Sequence, residues 1–179
     1  IETITIPSSL IELKDGWCFH TSKLTNIFIS KNCHFSYFDN KYIIGKSNPK
    51  SDIYDVLHFA RRDIEEALIP AFIKFISPYA FNFCRKLRKI QFAENSELIS
   101  IGCNSFSETI IQSITIPSHV TSIGKEAFYF CNYLKKIEFL NDSELKSIEN
   151  SAFSKTGIEY LSIPSSVVDF NERWCNETV

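Results

Sequence analysis

Methionine is missing from all 179 residues and the chain opens on Ile1, as expected of a segment from inside a longer protein. No basic-then-apolar leader is present. No apolar run reaches the roughly 20 residues needed to cross a bilayer. The longest candidate, Ala67 to Ile76, is broken by Pro70 and Lys74, so no membrane insertion is expected within this stretch. Charge of one sign is also lacking. Lys and Arg number 19 against 21 Asp and Glu, a net of −2. That balance supplies no basic field for a phosphate backbone, so no nucleic-acid partner is expected.

The motifs that carry chemistry are equally scarce. The chain has no Gly-rich phosphate loop, no Gly-x-Ser-x-Gly elbow and no His-Glu-x-x-His. Its four His are His20, His34, His58 and His119. Cys18 with His20, or Cys33 with His34, makes half a zinc site without a second pair of ligands. Cys33 and His34 also fail as nucleophile and base, because adjacent strand residues point to opposite faces. Asp52, Asp55 and Asp63 cluster in sequence, as a solvated loop would have them. The reading is therefore of a protein that is not an enzyme and holds no metal and no cofactor. Six Cys are too few and too evenly placed for a disulfide framework. Cys84 and Cys131 are 47 residues apart, Cys18 and Cys175 157 apart. At about 4.8 Å per coil such copies stand too far apart for a disulfide, and small buried thiols are expected.

What the sequence does contain is repetition. Ser113-Ile114-Thr115-Ile116-Pro117 returns as Tyr160-Leu161-Ser162-Ile163-Pro164 after 47 residues. Ile6-Pro7-Ser8-Ser9-Leu10 leading to Trp17-Cys18 returns as Ile163-Pro164-Ser165-Ser166-Val167 leading to Trp174-Cys175. Aligned on the last apolar residue of a short strand, the coils fall at Ile6, Ile29, Ile69, Phe92, Ile116, Phe139 and Ile163, spaced 23, 40, 23, 24, 23 and 24. Segments such as Lys89-Ile90-Gln91-Phe92 alternate polar and apolar residues, the period of a strand with one buried face. A Pro after Ile6, Ile69, Ile116 and Ile163 ends the strand. A second apolar pair follows, such as Ile73 and Ile76 or Val120 and Ile123, and then a large aromatic: Phe81, Phe106, Phe128 and Phe153, with Trp17 and Trp174 in the end copies. Stacked, these predict an internal aromatic ladder. Arg61 to Leu68 looks helical in isolation, but its phase places Ala67-Leu68-Ile69 in a strand. Short helical or 3₁₀ turns are expected on the outer side, around Lys125 to Phe128.

The fold class that follows is mainly β: one solenoid over 1–179, of about seven coils of 23–24 residues, with a hairpin-like insertion at 34–60 in the second coil. The pattern Ile-x-Ile-Pro-x-x-Val-x-x-Ile-Gly-x-x-Ala-Phe-x-x-Cys from Ile114 to Cys131 resembles the BspA-like leucine-rich repeats of bacterial and protist surface antigens. The insertion and the Lys14-Asp15-Gly16-Trp17-Cys18 variant look like the protist-type branch. The resemblance implies a leucine-rich-repeat solenoid of parallel strands, and a surface adhesin binding a protein or glycan partner. The common Asn ladder of leucine-rich repeats is missing. The matching Trp17 and Trp174 ends predict another insertion beyond Val179.

Function is then sought where the repeat breaks its own rule. The outward strand positions read Thr5, Phe28, Leu68, Gln91, Thr115, Glu138, Ser162. Phe28 and Leu68 stand out as apolar neighbours in coil order, flanking the insertion, either as an interface or beneath a lid. In the insertion, Asp39-Asn40 marks a hairpin, and a further strand is expected from Tyr54 to Phe59. Phe35, Tyr37, Phe38, Tyr42 and Tyr54 are either partner anchors or staples that fix the hairpin to the solenoid. Asn141 and Asn176 head N-glycosylation sequons. Two other roles stay open: end-to-end self-association through uncapped solenoid ends, and an intracellular, cytoplasmic interaction scaffold.

Overall fold

The structure, a computed structural model, describes residues 1–171 and 173–175. Six four-residue strands carry the repeat: β1 (Thr3–Ile6), β2 (Asn26–Ile29), β6 (Glu66–Ile69), β8 (Lys89–Phe92), β10 (Ser113–Ile116) and β12 (Lys136–Phe139). Two-residue strands follow each turn: β7 (Phe75–Ile76), β9 (Ser100–Ile101), β11 (Ser122–Ile123), β13 (Ser147–Ile148) and β14 (Asp169–Phe170). The insertion supplies β3 (Phe35–Phe38), β4 (Tyr42–Gly45) and β5 (Val56–Ala60). No helix occurs among the described residues.

Alternation in the four-residue strands decides their burial. Ile114 and Ile116 point inward and are buried, while Ser113 and Thr115 face solvent. The segment that looks helical in isolation is strand β6, because register with β8 (Glu66 opposite Lys89) outweighs propensity. The seventh aligned position, Ile163, lies in an extended segment outside any strand, with Leu161 and Ile163 still packed on the core.

The aromatic ladder is present. Phe81, Phe106, Phe128 and Phe153 are fully buried and stack with centroids 4.9, 5.3 and 5.5 Å apart. Trp174 closes one end edge-on at 6.3 Å. At the other end stands Tyr42 of the insertion, 6.1 Å from Phe81, and not Trp17. Trp17 packs instead on Phe59 in a second core under the insertion, because Cys18 takes the buried position of its coil.

The turns holding the ladder are not the expected 3₁₀ type. Residues two before and two after each Phe have positive φ: Tyr79 and Phe83, Asn104 and Glu108, Glu126 and Phe130, Ser151 and Lys155. For a side-chain-bearing residue this costs about 1–2 kcal/mol. Backbone bonds from coil to coil offset it: Phe81 N–H donates to Ser105 O at 2.7 Å, Phe106 to Ala127 O at 2.8 Å, and Phe128 to Ala152 O at 2.8 Å. Cys and Thr alternate three residues after each Phe, as Cys84, Thr109, Cys131, Thr156, and Thr109 Oγ1 lies 3.3 Å from Cys131 Sγ. Cys18, Cys33, Cys84, Cys103 and Cys131 form no disulfide. Burial pushes the Cys131 thiol up to about 11, and that of Cys84 up as well.

The short strands form one continuous sheet, β14-β13-β11-β9-β7-β5-β4-β3. The insertion joins it as an antiparallel meander: β3 on β4, β4 on β5, and β5 parallel to β7. The hairpin falls at Asp39-Asn40, whose φ values of 50° and 49° suit a tight two-residue turn.

Candidate binding surface

The four-residue strands do not form one sheet. They hydrogen-bond only in pairs, β1 with β2, β6 with β8 and β10 with β12, each offset by 23 residues. Between pairs the ladder stops. Among the described residues no backbone bond joins 88–97 to 111–120, or 135–145 to 157–167. The cause is legible in the coils. From strand end to the next inward residue takes four residues at Ile69–Ile73 and Ile116–Val120, but six at Phe92–Leu98 and Phe139–Leu145. The longer turns fold back onto the preceding coil, where Glu97 N–H donates to Ala71 O and Glu144 N–H to Ser118 O, at 2.9 and 2.7 Å. Each pair is tied to itself and a joint opens beyond it. The joint at β8 and β10 holds a groove of about 990 Å³, and that between β12 and 160–166 one of about 460 Å³.

Phe28 and Leu68 are exposed, at 60% and 57% of their surface, so the insertion is not a lid over them. Their neighbourhood differs from the expectation, because β2 and β6 flank an open joint and no Cα of one lies within 8 Å of the other. They are two apolar points on one stripe and not a contiguous patch.

The insertion's aromatics divide. Phe35 and Tyr42 are buried, at 4% and 0% exposure. Phe35 packs edge-on against His58, and Tyr42 closes the Phe ladder while its hydroxyl donates to Leu68 O at 3.5 Å. Neither offers surface to a partner, which corrects that expectation for these two: as core aromatics they fix the insertion to the solenoid. Tyr37, Phe38 and Tyr54 are half-buried. The Tyr37 hydroxyl donates to Asn40 O at 2.9 Å, Phe38 packs on Phe72, and Tyr54 carries Lys46 over its ring at 4.9 Å. Asn141 is exposed in the turn beside the smaller groove. Asn176 lies outside the described residues.

Arg62 was invisible as a special residue in the sequence. It is 3% exposed and forms no ion pair with a carboxylate among the described residues. Its guanidinium donates to Ala80 O at 2.8 Å and Tyr79 O at 3.2 Å, and lies 4.2 Å from the Phe59 ring centroid. In the Phe ladder each coil's N–H groups donate to the next coil, so the Phe81 coil presents carbonyls toward the insertion, and Arg62 adds donors to those of Ala80 and Tyr79 beside Ala60 N–H and Asn82 N–H. Among the described residues no group of His, Cys, Asp or Glu is arranged to hold a metal, and no helix is long and apolar enough to cross a membrane.

The model of the BspA-type leucine-rich-repeat region matches residues 1–47 and 53–177, in six copies. The chain belongs to this family. The part of the insertion left out of the match, 48–52, is the polar stretch between β4 and β5. Structural likeness agrees. The pneumococcal vaccine antigen PcpA is similar at a TM-score of 0.61 with 19% identity, over 98% of this chain and 38% of that one. A leucine-rich repeat protein of Eubacterium ventriosum is similar at 0.56 with 15% identity, over 97% and 57%. One from Bacteroides capillosus gives 0.50 with 25% identity, over 79% and 92%. The chain thus spans between a third and three-fifths of the first two neighbours. No curated protein matches it by sequence. Like the family's other repeats, this is a scaffold suited to protein interaction.

Proposed function

We propose that this BspA-type solenoid is a non-catalytic adhesion scaffold at the cell surface or outside the cell, binding a protein or glycan through the outward residues of its paired strands. The observation that carries the reading is the exposure of Phe28 and Leu68 in a column whose other members are polar or charged. Binding energy concentrates on a few large side chains that a partner's pockets desolvate, and these two are the large apolar side chains that the column offers. Tyr37, Phe38 and Tyr54 add half-buried aromatic surface at the edge of the same chain. The likeness to a vaccine antigen favours an outer location. Exposed Asn141 would be glycosylated if the protein passes through a secretory route.

The test is a double variant, Phe28→Ala with Leu68→Ala, assayed against purified extracellular-matrix proteins. Both side chains are exposed, so the melting temperature should stay within a few degrees of wild type. Affinity should fall by about 10- to 100-fold. Unchanged affinity with unchanged stability rules the stripe out. Concentration-dependent sedimentation of the unliganded chain would favour end-to-end self-association instead.

A further inference from the structure

We propose that the joint between β8 and β10 is a binding site for an extended peptide of a partner protein, which adds to the open strand edges parallel to them, acidic residue first and basic residue last. This rests on the reading of the chain as a protein-binding scaffold, but on a different surface from Phe28 and Leu68.

The first observation is the backbone. In a parallel ladder the N–H and C=O of one residue point the same way, and those of the next point the other. Lys89 N–H donates to Glu65 O, just before β6, and Ala93 N–H to Ile69 O at its end. Ile90 and Phe92 therefore face the joint from β8, and by the same alternation Ser113 and Thr115 face it from β10. Strand edges with unused donors and acceptors are templates for a further strand. At the equivalent joint beside β6 the molecule already makes such a contact: the Tyr42 hydroxyl donates to Leu68 O, one of the joint-facing carbonyls.

The second observation is charge. Arg88 and Lys89 stand where the strands begin, and Glu94 and Asp142 stand where they end, all lining the groove. None of the four forms an ion pair among the described residues. Every strand pair around the groove is parallel, so an added parallel strand enters at Arg88 and Lys89 and leaves at Glu94 and Asp142. Its first charged residue must then be acidic and its last basic. Half-exposed Phe92 and exposed Leu140 supply apolar contact for residues between.

The third concerns width. β8 and β10 approach within 8 Å, whereas a strand between them needs about 9.6 Å, twice the usual spacing. The joint must widen slightly. β7, β9 and β11 on the far side stay continuously paired and act as the hinge, and the bond from Ile110 N–H to Leu87 O at 3.2 Å beside the joint must give.

The probe is an end-blocked peptide Asp-Val-Thr-Val-Thr-Val-Lys with a fluorescent label, compared with its charge-exchanged twin, Lys first and Asp last. The first should bind at least about tenfold more tightly. Arg88→Glu with Lys89→Glu should abolish that preference. Since Lys89 sits opposite Glu66, a second variant, Glu94→Lys with Asp142→Lys, tests the far end without that clash. A Gln91→Cys, Thr115→Cys pair, bridged by a short bis(methanethiosulfonate) in a Cys33→Ser background so that each thiolate displaces a methanesulfinate, should close the joint and eliminate binding. Equal binding of the two peptides, binding of neither, or binding that survives the crosslink overturns the proposal. Phe28→Ala with Leu68→Ala should leave peptide binding intact. Failure of the peptide while that double variant still loses matrix-protein binding would sink the joint and spare the strand-face reading.

Discussion

Arg62 is the residue on which two opposed effects can be weighed. Removing a buried cation recovers its desolvation cost, but takes donors from the carbonyls of Ala80 and Tyr79. Those carbonyls keep other contacts: Ala60 N–H at 2.9 Å for Ala80, and the Cys18 thiol at 3.6 Å for Tyr79. The loss is therefore partial. Arg62→Met should lower unfolding free energy by about 1–2 kcal/mol in denaturant titration. Arg62→Glu, which sets a carboxylate against the same carbonyls, should cost more than about 4 kcal/mol. Equal effects of Met and Glu would mean the guanidinium matters only as packing. Nothing in the sequence marks this residue, since Arg61 to Leu68 looks in isolation like a charged helical segment. Its role comes from the carbonyl end of the Phe81 coil, where it adds donors to Ala80 O and Tyr79 O beside the backbone N–H groups of Ala60 and Asn82.

At the scale of elements the insertion is held by β5 against β7, and His58 sits at that seam. Its Nδ1 lies 3.0 Å from Ser77 Oγ, and burial pulls its pKa down to about 4 from an ordinary 6.5. Between those values the unfolded chain binds a proton that the folded chain does not. The stability of the seam is therefore complete above about pH 6.5, falls as the pH drops toward 4, and levels off below it. The total is bounded by about 3 kcal/mol. A His58→Gln variant, melted alongside wild type from pH 7.5 to 4, should lack that part of the decline; parallel curves would contradict it. Much of this element was legible beforehand. Asp39-Asn40 marks its hairpin, and the third strand was expected from Tyr54 to Phe59 and runs Val56–Ala60. What was not legible is which aromatics face inward. Tyr42 has the same alternation as its neighbours, and only docking on Phe81 makes it a core residue while Trp17 leaves the ladder.

For the whole molecule, the repeat period predicted a β-solenoid of parallel strands with a buried Phe ladder, because a fixed phase forces equivalent side chains to stack. The alternation of 23 and 24 residues was equally plain, yet its consequence was not. One net residue per doublet conceals two added after the strand and one removed before the next, and that redistribution splits the strand face into pairs. Exposed anchors, open joints and the partners proposed for them all depend on that split.

Residue-resolved amide hydrogen exchange across β6, β8, β10 and β12 tests it most directly. Amides bonded within a pair, such as Lys89 and Ala93, should be protected. Those of Ile90, Phe92, Ser113 and Thr115, which face the joint, should exchange at least about 100-fold faster. Uniform protection across β8 and β10 would mean one continuous sheet with no joint, and would contradict the account.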